Sequence, residues 1–596
     1  MAHPVRDGRP EAGQPDGCRR IATGAHRSAP TVAASVMLAI YGLANGARAP
    51  VAAEPIFVES AAATGLAFTH VNGASGSYYL PEVMGSGVAL FDYDNDGDLD
   101  VFVVQGGALG PGAAGGAAAN AATCRLFRND LTTGPTGKPS LHFTDVTQQA
   151  GAGVRGYGMG VAVGDYDRDG LPDLYVTQYP NSILYHNNGD GTFSDVTAKA
   201  GVGAPGWSTS AVWFDYDNDG QLDLFVCRFV DYSKAKLKFC GDALTGERHF
   251  CIPSIYDPMP CWLFHNNGDG TFTDVSKESG IAHSLAKAWG VVAADINNDG
   301  RMDLYVTNDT APNFLFANRG KGKFDEIAML AGVGVNVFGK PRSGMGVDAG
   351  DYDQDGWIDL FEANVDHEMF SLYHNERNEA FSDLALPTGI GEATRLMSGW
   401  GLKFFDYDND GDLDLLLANS HPDDTVDGRM QGVTFLEPLL LFRRNGNSFH
   451  NVSRESGPVF SRPLASRGLA LGDFDNDGAV DVLITQNNRE PVLLHNHAGR
   501  GNHWLGVKLV GRKSNIDAIG AKLTWHAGDL ERHRFKVGGG SYLSSHDPRM
   551  VLGLGRRAKI DWLEVKWPEP SGRTERFQDL PIDRHITIVE GEGKWS

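Results

Sequence analysis

Short apolar runs recur along the chain on either side of an acidic phrase: GVALFDYD then LDVFVV, GVAVGDYD then PDLYVT, GLALGDFD then VDVLIT. Runs this short, rich in Val, Leu, Ile and Phe and bounded by Gly, Asn and Asp, predict β-strands. A second phrase alternates with the first, as LYHNNGDGTFSDVTAKAG (184–201) and LFHNNGDGTFTDVSKESG (263–280). Weaker forms are LFRND with FTDVTQQAG, LFANRGKGKFDEIAMLAG, LYHNERNEAFSDLALPTG and LFRRNGNSFHNVSRESG. Each reads as two strands around a Gly/Asn turn. One repeat is therefore four strands, A to D, with the acidic phrase joining A to B. In the last repeat LLHN (493–496) lacks its F-x-D-V partner, whereas IFVESAAATG (56–65) is such a partner with nothing before it. A ring solves the problem of unpaired edges by letting the N-terminal strand complete the last sheet. The pattern predicts an all-β fold: a seven-bladed β-propeller over residues 54–500, closed by the N-terminal strand. From residue 501 to 596, WLGVKLVG, AKLTWHAG, RHRFKVGG, WLEVKWPE and HITIVEG alternate apolar and polar positions and predict a small C-terminal β-sandwich.

The acidic phrase occurs seven times: FDYDNDGDLD (91–100), GDYDRDGLPD (164–173), FDYDNDGQLD (214–223), ADINNDGRMD (294–303), GDYDQDGWID (350–359), FDYDNDGDLD (405–414) and GDFDNDGAVD (472–481). Like charges at roughly 4 Å cost on the order of 4 kcal/mol per pair at an effective dielectric near ~20. Such crowding calls for protonation, solvent or a cation. The spacing D-x-[DN]-x-D-G-x-x-D points to calcium, which takes six to eight oxygens from carboxylates at positions 1, 3, 5 and 9 and a carbonyl at 7, with Gly at 6 for the sharp turn. An EF-hand closes with Glu at position 12; here that position is Val103, in a predicted strand. The first copy offers Asp92, Asp94, Asp96, Asp98 through its carbonyl, and Asp100. The second offers Asp165, Asp167, Asp169 and Asp173, and the third Asp215, Asp217, Asp219 and Asp223. The fourth has Asp295, Asn297, Asp299 and Asp303, and the fifth Asp351, Asp353, Asp355 and Asp359. The sixth has Asp406, Asp408, Asp410 and Asp414, and the seventh Asp473, Asp475, Asp477 and Asp481. A single such loop is as often a solvated turn; seven in one context favour up to seven Ca²⁺ as a condition of folding.

Composition narrows the partners. At 596 residues, 41% hydrophobic and a net charge of −23, the chain is globular and offers no basic face for nucleic acid or an anionic membrane. Seven divalent ions would cancel more than half of that charge. Residues 1–53 read as a leader: Arg19, Arg20 and Arg27 precede an apolar run from Ala29 to Leu43, and small residues end at Val51-Ala52-Ala53. That fits a secretory signal cleaved before Glu54, or a retained anchor, and predicts a secreted, periplasmic or cell-surface monomer. Export makes disulfides the first reading of Cys227, Cys240, Cys251 and Cys261, paired as Cys240–Cys251 and Cys227–Cys261; a zinc site is the rival, without any C-x-x-C to support it.

The repeats resemble FG-GAP/VCBS repeats, the blades of integrin α-subunit propellers. NHWLGVKLVG (502–511), SNIDAIGAKL (514–523), GGGSYLSSHDPRMVLGLG (538–555) and DWLEVKWPEPSG (561–572) resemble the ASPIC/UnbV domain. The combination is similar to the cartilage acidic protein 1 family, which implies the propeller and calcium but defines little activity. Ile516 stands where that family usually has Arg, so a polar contact made by that Arg is not implied here.

The predicted strand order puts the long insertions, 105–124, 228–261 and 419–439, on the face opposite the acidic loops; the last carries His421, Asp423, Asp424, Asp427 and Arg429. His186, His265, His374 and His495 recur before Asn at one repeat position and read as blade structure. No G-x-S-x-G, H-E-x-x-H or P-loop occurs, and no catalytic residue is singled out. Trp504, Trp525, Trp562 and Trp567 read as core, with sugar stacking as the rival use. Two functions follow as expectations: a calcium-stabilised binding or adhesion module for extracellular protein or glycan, or a carbohydrate-active enzyme or accessory of secondary-metabolite synthesis with its site at the channel mouth.

Overall fold

Strands A to D of each repeat pair in order as one antiparallel sheet, and the A strands are the inner ones. The computed structural model describes residues 55–109, 116–134, 139–233, 238–241 and 244–596. The leader expected over residues 1–53 lies outside them. No helix among the described residues is long and apolar enough to cross a membrane.

Seven sheets carry the repeats, with A strands Val88–Phe91, Tyr157–Gly164, Ser208–Phe214, Ala288–Ala294, Val347–Gly350, Gly399–Phe405 and Ser466–Gly472. Each A strand touches those of the sheets before and after it, and the seventh touches the first, so the A strands line a closed ring. Phe57–Glu59 supplies the outer strand of the seventh sheet, with Phe57 opposite Asn496 and Glu59 opposite Leu494. The inner strands are buried on both faces, because each sheet is sandwiched between its neighbours. That is why they read as apolar runs instead of alternating ones.

The chain beyond the ring folds as two further sheets. His503–Val510 lies between Met550–Gly555 and His585–Val589, and Lys522–Ala527 lies in a sheet with Leu530–Phe535, Trp562–Lys566 and Thr574–Phe577. The two enclose one core in which Trp525 and Trp567 are buried. Trp504 is also buried, so these three rings are not available to sugars, whereas Trp562 is half-buried under Arg576.

Residues 538–547 leave these sheets and enter the ring. Gly538–Gly539 adds a strand to the fourth sheet, Ser541 bridges to Val347 and Ser545 to Ala89. Tyr542 and Leu543 are buried among Trp207, Trp289, Trp400, Met159 and Met345, so the centre of the ring is a packed core. The Tyr542 hydroxyl donates to the Met84 carbonyl at 3.1 Å, meeting the turn Leu80–Val83 that enters from the other face. The passage needs glycine on the ring side. A Cβ on Gly87 would lie 1.7 Å from the Leu543 carbonyl oxygen, and one on Gly160 3.0 Å from it. Glu54–Ser596 accordingly forms one unit.

Of the expected disulfides, Cys240–Cys251 is formed and Cys227–Cys261 is not. Cys227 continues a strand paired Val226 to Trp262, so the two thiols are buried cross-strand neighbours inside the third sheet. Cys227 lies in the strand Asp223–Arg228 and Cys261 just before the strand Trp262–Asn266, so the two flank the base of the long connection as free thiols.

Candidate metal centre

Each acidic phrase folds as a tight turn built by its own carboxylates. In the first copy Asp92 Oδ1 accepts from the Asp96 N–H and Oδ2 from the Gly97 N–H, both at 3.0 Å. Asp96 Oδ1 accepts from the Asp98 N–H at 2.9 Å. The ninth residue ties the turn to strands A and C: Asp100 Oδ2 accepts from the Tyr93 N–H and Oδ1 from the Asn129 N–H. The pattern repeats with Asp165 and Asp173, Asp215 and Asp223, Asp295 and Asp303, Asp351 and Asp359, Asp406 and Asp414, and Asp473 and Asp481. The fourth residue has positive φ in every copy: Asn95 58°, Arg168 63°, Asn218 62°, Asn298 57°, Gln354 65°, Asn409 57° and Asn476 57°. Asn tolerates that region best among non-glycine residues.

The third position is where acceptor capacity is left over. Asp217 Oδ1, Asp408 Oδ1 and Asp475 Oδ1 are buried and have no hydrogen-bond partner. Such orphaned oxygens, each beside the carboxylate two residues on, suit a cation. Burial pushes the Asp100 carboxyl up to about 8, with Asp94 and Asp92 adding repulsion, and pushes Asp223 and Asp359 up to about 7. A divalent ion among these oxygens would reverse that, because it favours the ionised form.

Histidines enter the same clusters. His186 Nδ1 lies 3.2 Å from Asp173 Oδ1 and 3.4 Å from Asp167 Oδ2, and His265 and His374 repeat the arrangement on Asp223 with Asp217 and on Asp359 with Asp353. His495 uses Nε2, 3.1 Å from Asp475 Oδ2. Asp167, Asp169 and His186 could together hold a metal ion, as could Asp217, Asp219 and His265; Asp353, Asp355 and His374; Asp475, Asp477 and His495; and Asp92, Asp94 and Asp100. The histidines thus stand among the possible ligands as well as in the blade. Their contacts with the ninth-position carboxylates push His265 and His374 up to about 9. The following Asn supplies the structural part: Asn187 Nδ2 donates to the Tyr93 carbonyl of the preceding repeat, and Asn129, Asn266, Asn318, Asn375 and Asn496 do likewise. The signal in the sequence was the His-Asn pair itself, one strand away from the ninth-position Asp.

The copies are not equivalent. In the sixth, Arg443 takes the histidine's place, 3.4 Å from Asp408 and 3.5 Å from Asp410. In the fourth, Asn297 donates to Glu379, which Arg319 also binds. Asp98 turns its side chain to the seventh copy, accepting from Asn476 Nδ2 at 3.0 Å. Asn95, Asn218, Asn298 and Asn409 donate in the same way to Gly170, Gly300, Gly356 and Gly478 of the next loop.

The C-terminal sheets dock on the inner side of these loops through the first-position carboxylates. His533 Nε2 lies 2.6 Å from Asp351 Oδ2, His585 Nε2 2.8 Å from Asp473 Oδ2, and Arg534 4.0 Å from Asp406. A cavity of about 260 Å³ remains between ring and C-terminal sheets, lined by Asp348, Lys403, Asp517, Lys536, His546 and Asp547 among others.

The family described as FG-GAP-like repeat matches residues 165–226, 252–306, 295–362 and 351–417, and that described as ASPIC and UnbV matches residues 511–594. Cartilage acidic protein 1 of Mus musculus is 27% identical over 308 residues, 50% of this chain and 44% of its own length. That of Xenopus tropicalis is 27% identical over 328 residues, 53% of this chain and 47% of its own. The chain thus spans less than half the length of these curated relatives. Among solved structures, an Agrocybe aegerita lectin that recognises non-reducing terminal N-acetylglucosamine aligns over 68% of this chain and 86% of its own, at 14% identity and a TM-score of 0.36. A Bacillus licheniformis rhamnogalacturonan lyase aligns over 72% and 90%, at 10% identity and a TM-score of 0.26.

Proposed function

For a chain that belongs to the FG-GAP-like repeat proteins ending in an ASPIC and UnbV domain, we propose an exported, calcium-stabilised module that binds protein or glycan through the face opposite its acidic loops. The ions are Ca²⁺, up to seven, held by the third- and fifth-position carboxylates with the first and ninth completing the shell. The repeat histidines orient these ligands where they are present. The orphaned oxygens of Asp217, Asp408 and Asp475 support the ion.

One observation carries the choice of face. The C-terminal sheets stand over the acidic loops, and Tyr542 and Leu543 fill the centre of the ring, so that side keeps only the cavity of about 260 Å³ between ring and C-terminal sheets and no long connections. The other face keeps the long connections. The loop stapled by Cys240–Cys251 exposes Phe239, Leu244 and Ile252, the first two at 51% and 97%. Apolar side chains on a braced loop suit recognition.

The test is a glycan and secreted-protein binding screen with the calcium-loaded chain and with a variant in which Phe239 and Ile252 are both replaced by Ser. Binding that needs calcium and is lost in the variant supports the reading. Binding that survives the variant unchanged, or cleavage of a bound glycan, contradicts it.

A further inference from the structure

A second group of metal-type donors lies on that opposite face, where the B–C connections of the fifth and sixth sheets meet. Asp366 and His367 follow the strand Asp359–Glu362, and His421 follows the strand Asp414–Asn419. The two imidazoles converge on one carboxylate: His367 Nδ1 lies 2.7 Å from Asp366 Oδ2, and His421 Nε2 lies 3.3 Å from Asp366 Oδ1. Asp366 and His421 are buried, while the side chain of His367 is 56% exposed.

Behind Asp366 stands a second acid. Ser398 Oγ lies 3.4 Å from Asp366 Oδ1, and the Ser398 N–H donates to Glu437 Oε2 at 2.9 Å. Glu437 is only 2% exposed, yet its Oε1 has no hydrogen-bond partner. Ser420 pairs with Leu436 and the His421 N–H donates to the Phe435 carbonyl, so strand alternation sets His421 and Glu437 on one side of that pairing. Burial pushes the Glu437 carboxyl up to about 9, and the charge of Asp366 adds to it. Glu437 Oε1 is thus a buried acceptor without a partner, behind a carboxylate shared by two imidazoles.

The His421 ring is fixed through Nδ1, which accepts from the Asp423 N–H at 3.0 Å and lies 3.1 Å from the Asp423 carbonyl, so that Nε2 is turned to Asp366; a metal ion at Nε2 would take the place of the proton there. Two imidazoles with one or two carboxylates form a borderline donor set, suited to zinc and its neighbours and poorly suited to calcium, which prefers oxygen alone.

We propose that Asp366, His367 and His421, backed by Glu437, bind one zinc-class divalent cation on the face opposite the acidic loops. The exposed side at His367 leaves a coordination position open to solvent, or to a carboxylate or imidazole of a bound partner. Only that last role rests on the recognition surface proposed above; the ion itself does not.

The full chain, saturated with calcium so that the acidic loops are occupied, is titrated with Zn²⁺ by calorimetry and with Co²⁺ by visible absorption. One equivalent of Zn²⁺ is expected, with a cobalt spectrum showing nitrogen ligation. His367→Gln, at an exposed ring, should weaken binding at least about tenfold while leaving the calcium-loaded melting temperature unchanged; Asp366→Asn should abolish it. The proposal is overturned if no Zn²⁺ binds above calcium, if His367→Gln titrates like the wild type, or if His186→Gln removes the same equivalent, which would place the ion in an acidic loop.

Discussion

Replacing Tyr542 by Ala tests whether ring and C-terminal sheets unfold as one body. The side chain is fully buried, its ring centroid 4.9 Å from that of Trp400 and 5.7 Å from that of Trp289, and its hydroxyl donates to Met84. Truncating a buried large aromatic costs about 3–5 kcal/mol, and the hydrogen bond contributes about 1 kcal/mol of it. Unfolding entropy near 60 °C is about 2.1 cal/mol/K per residue, so a cooperative unit of about 540 residues loses about 1 °C per kcal/mol. Tyr542→Ala should therefore lower the calcium-loaded melting temperature by about 3–5 °C, and Tyr542→Phe by about 1 °C. Scanning calorimetry should show one transition moving as a whole. Two separate transitions, with the larger unmoved by Tyr542→Ala, would refute the reasoning, because the ring would then owe nothing to the residues inside it.

Metal removal should make stability depend on pH where that of the loaded protein does not. In the ion-free fold Asp100, Asp215 and Asp406 sit near about 8, raised mainly by burial from an ordinary 3.8. A raised carboxyl stabilises below its unfolded value and loses that contribution as pH climbs through the folded one. In chelator the melting temperature should thus fall from pH 5 to 8.5, whereas in calcium, which holds these carboxyls ionised at and below their unfolded value, it should stay level over that range; parallel slopes would count against metal at these carboxylates. Asp217→Asn should remove one equivalent of bound calcium, whereas Asp269→Asn, in the exposed turn of the same sheet, should remove none; equilibrium dialysis decides. Reducing Cys240–Cys251 should release about 3 kcal/mol of constraint from an 11-residue span. It should open that loop to protease without shifting the main transition, and Cys227 and Cys261 should resist alkylation until the ring unfolds.

The acidic turns and their sheets were legible because everything that shapes them is local. The first, fifth and ninth carboxylates bind backbone N–H groups of their own repeat, and the Gly and Asn positions answer to φ alone. The interior segment was not legible for the opposite reason. GGGSYLSSH has neither helical nor strand period, and its partners lie some hundreds of residues away, at Val291, Val347, Gly87 and Trp400. A trace of it did stand in the sequence. Five residues before the first Asp of each loop the chain has Gly87, Gly160, Ser210, Gly290, Gly346, Gly401 and Gly468, small in every copy, at the level where the segment passes or neighbouring A strands close in. The histidines recur in the sequence as one set that reads as blade structure, and strand pairing alone brings them to the carboxylates. Export and spacing pair Cys227 with Cys261, whereas in the fold one lies near the end of a strand and the other just precedes its neighbour, and both stay free thiols.

The seventh sheet joins residue 57 to residue 496, and the centre of the ring waits for residue 542. A growing chain therefore cannot close the seam between its seventh and first sheets until nearly all of it has been made. Until then Phe57–Glu59 is without its partner strand and the middle is unfilled. Every early stop is a broken circle, so completeness of synthesis is read out by the fold itself, and a shortened chain is marked by its own exposed strand.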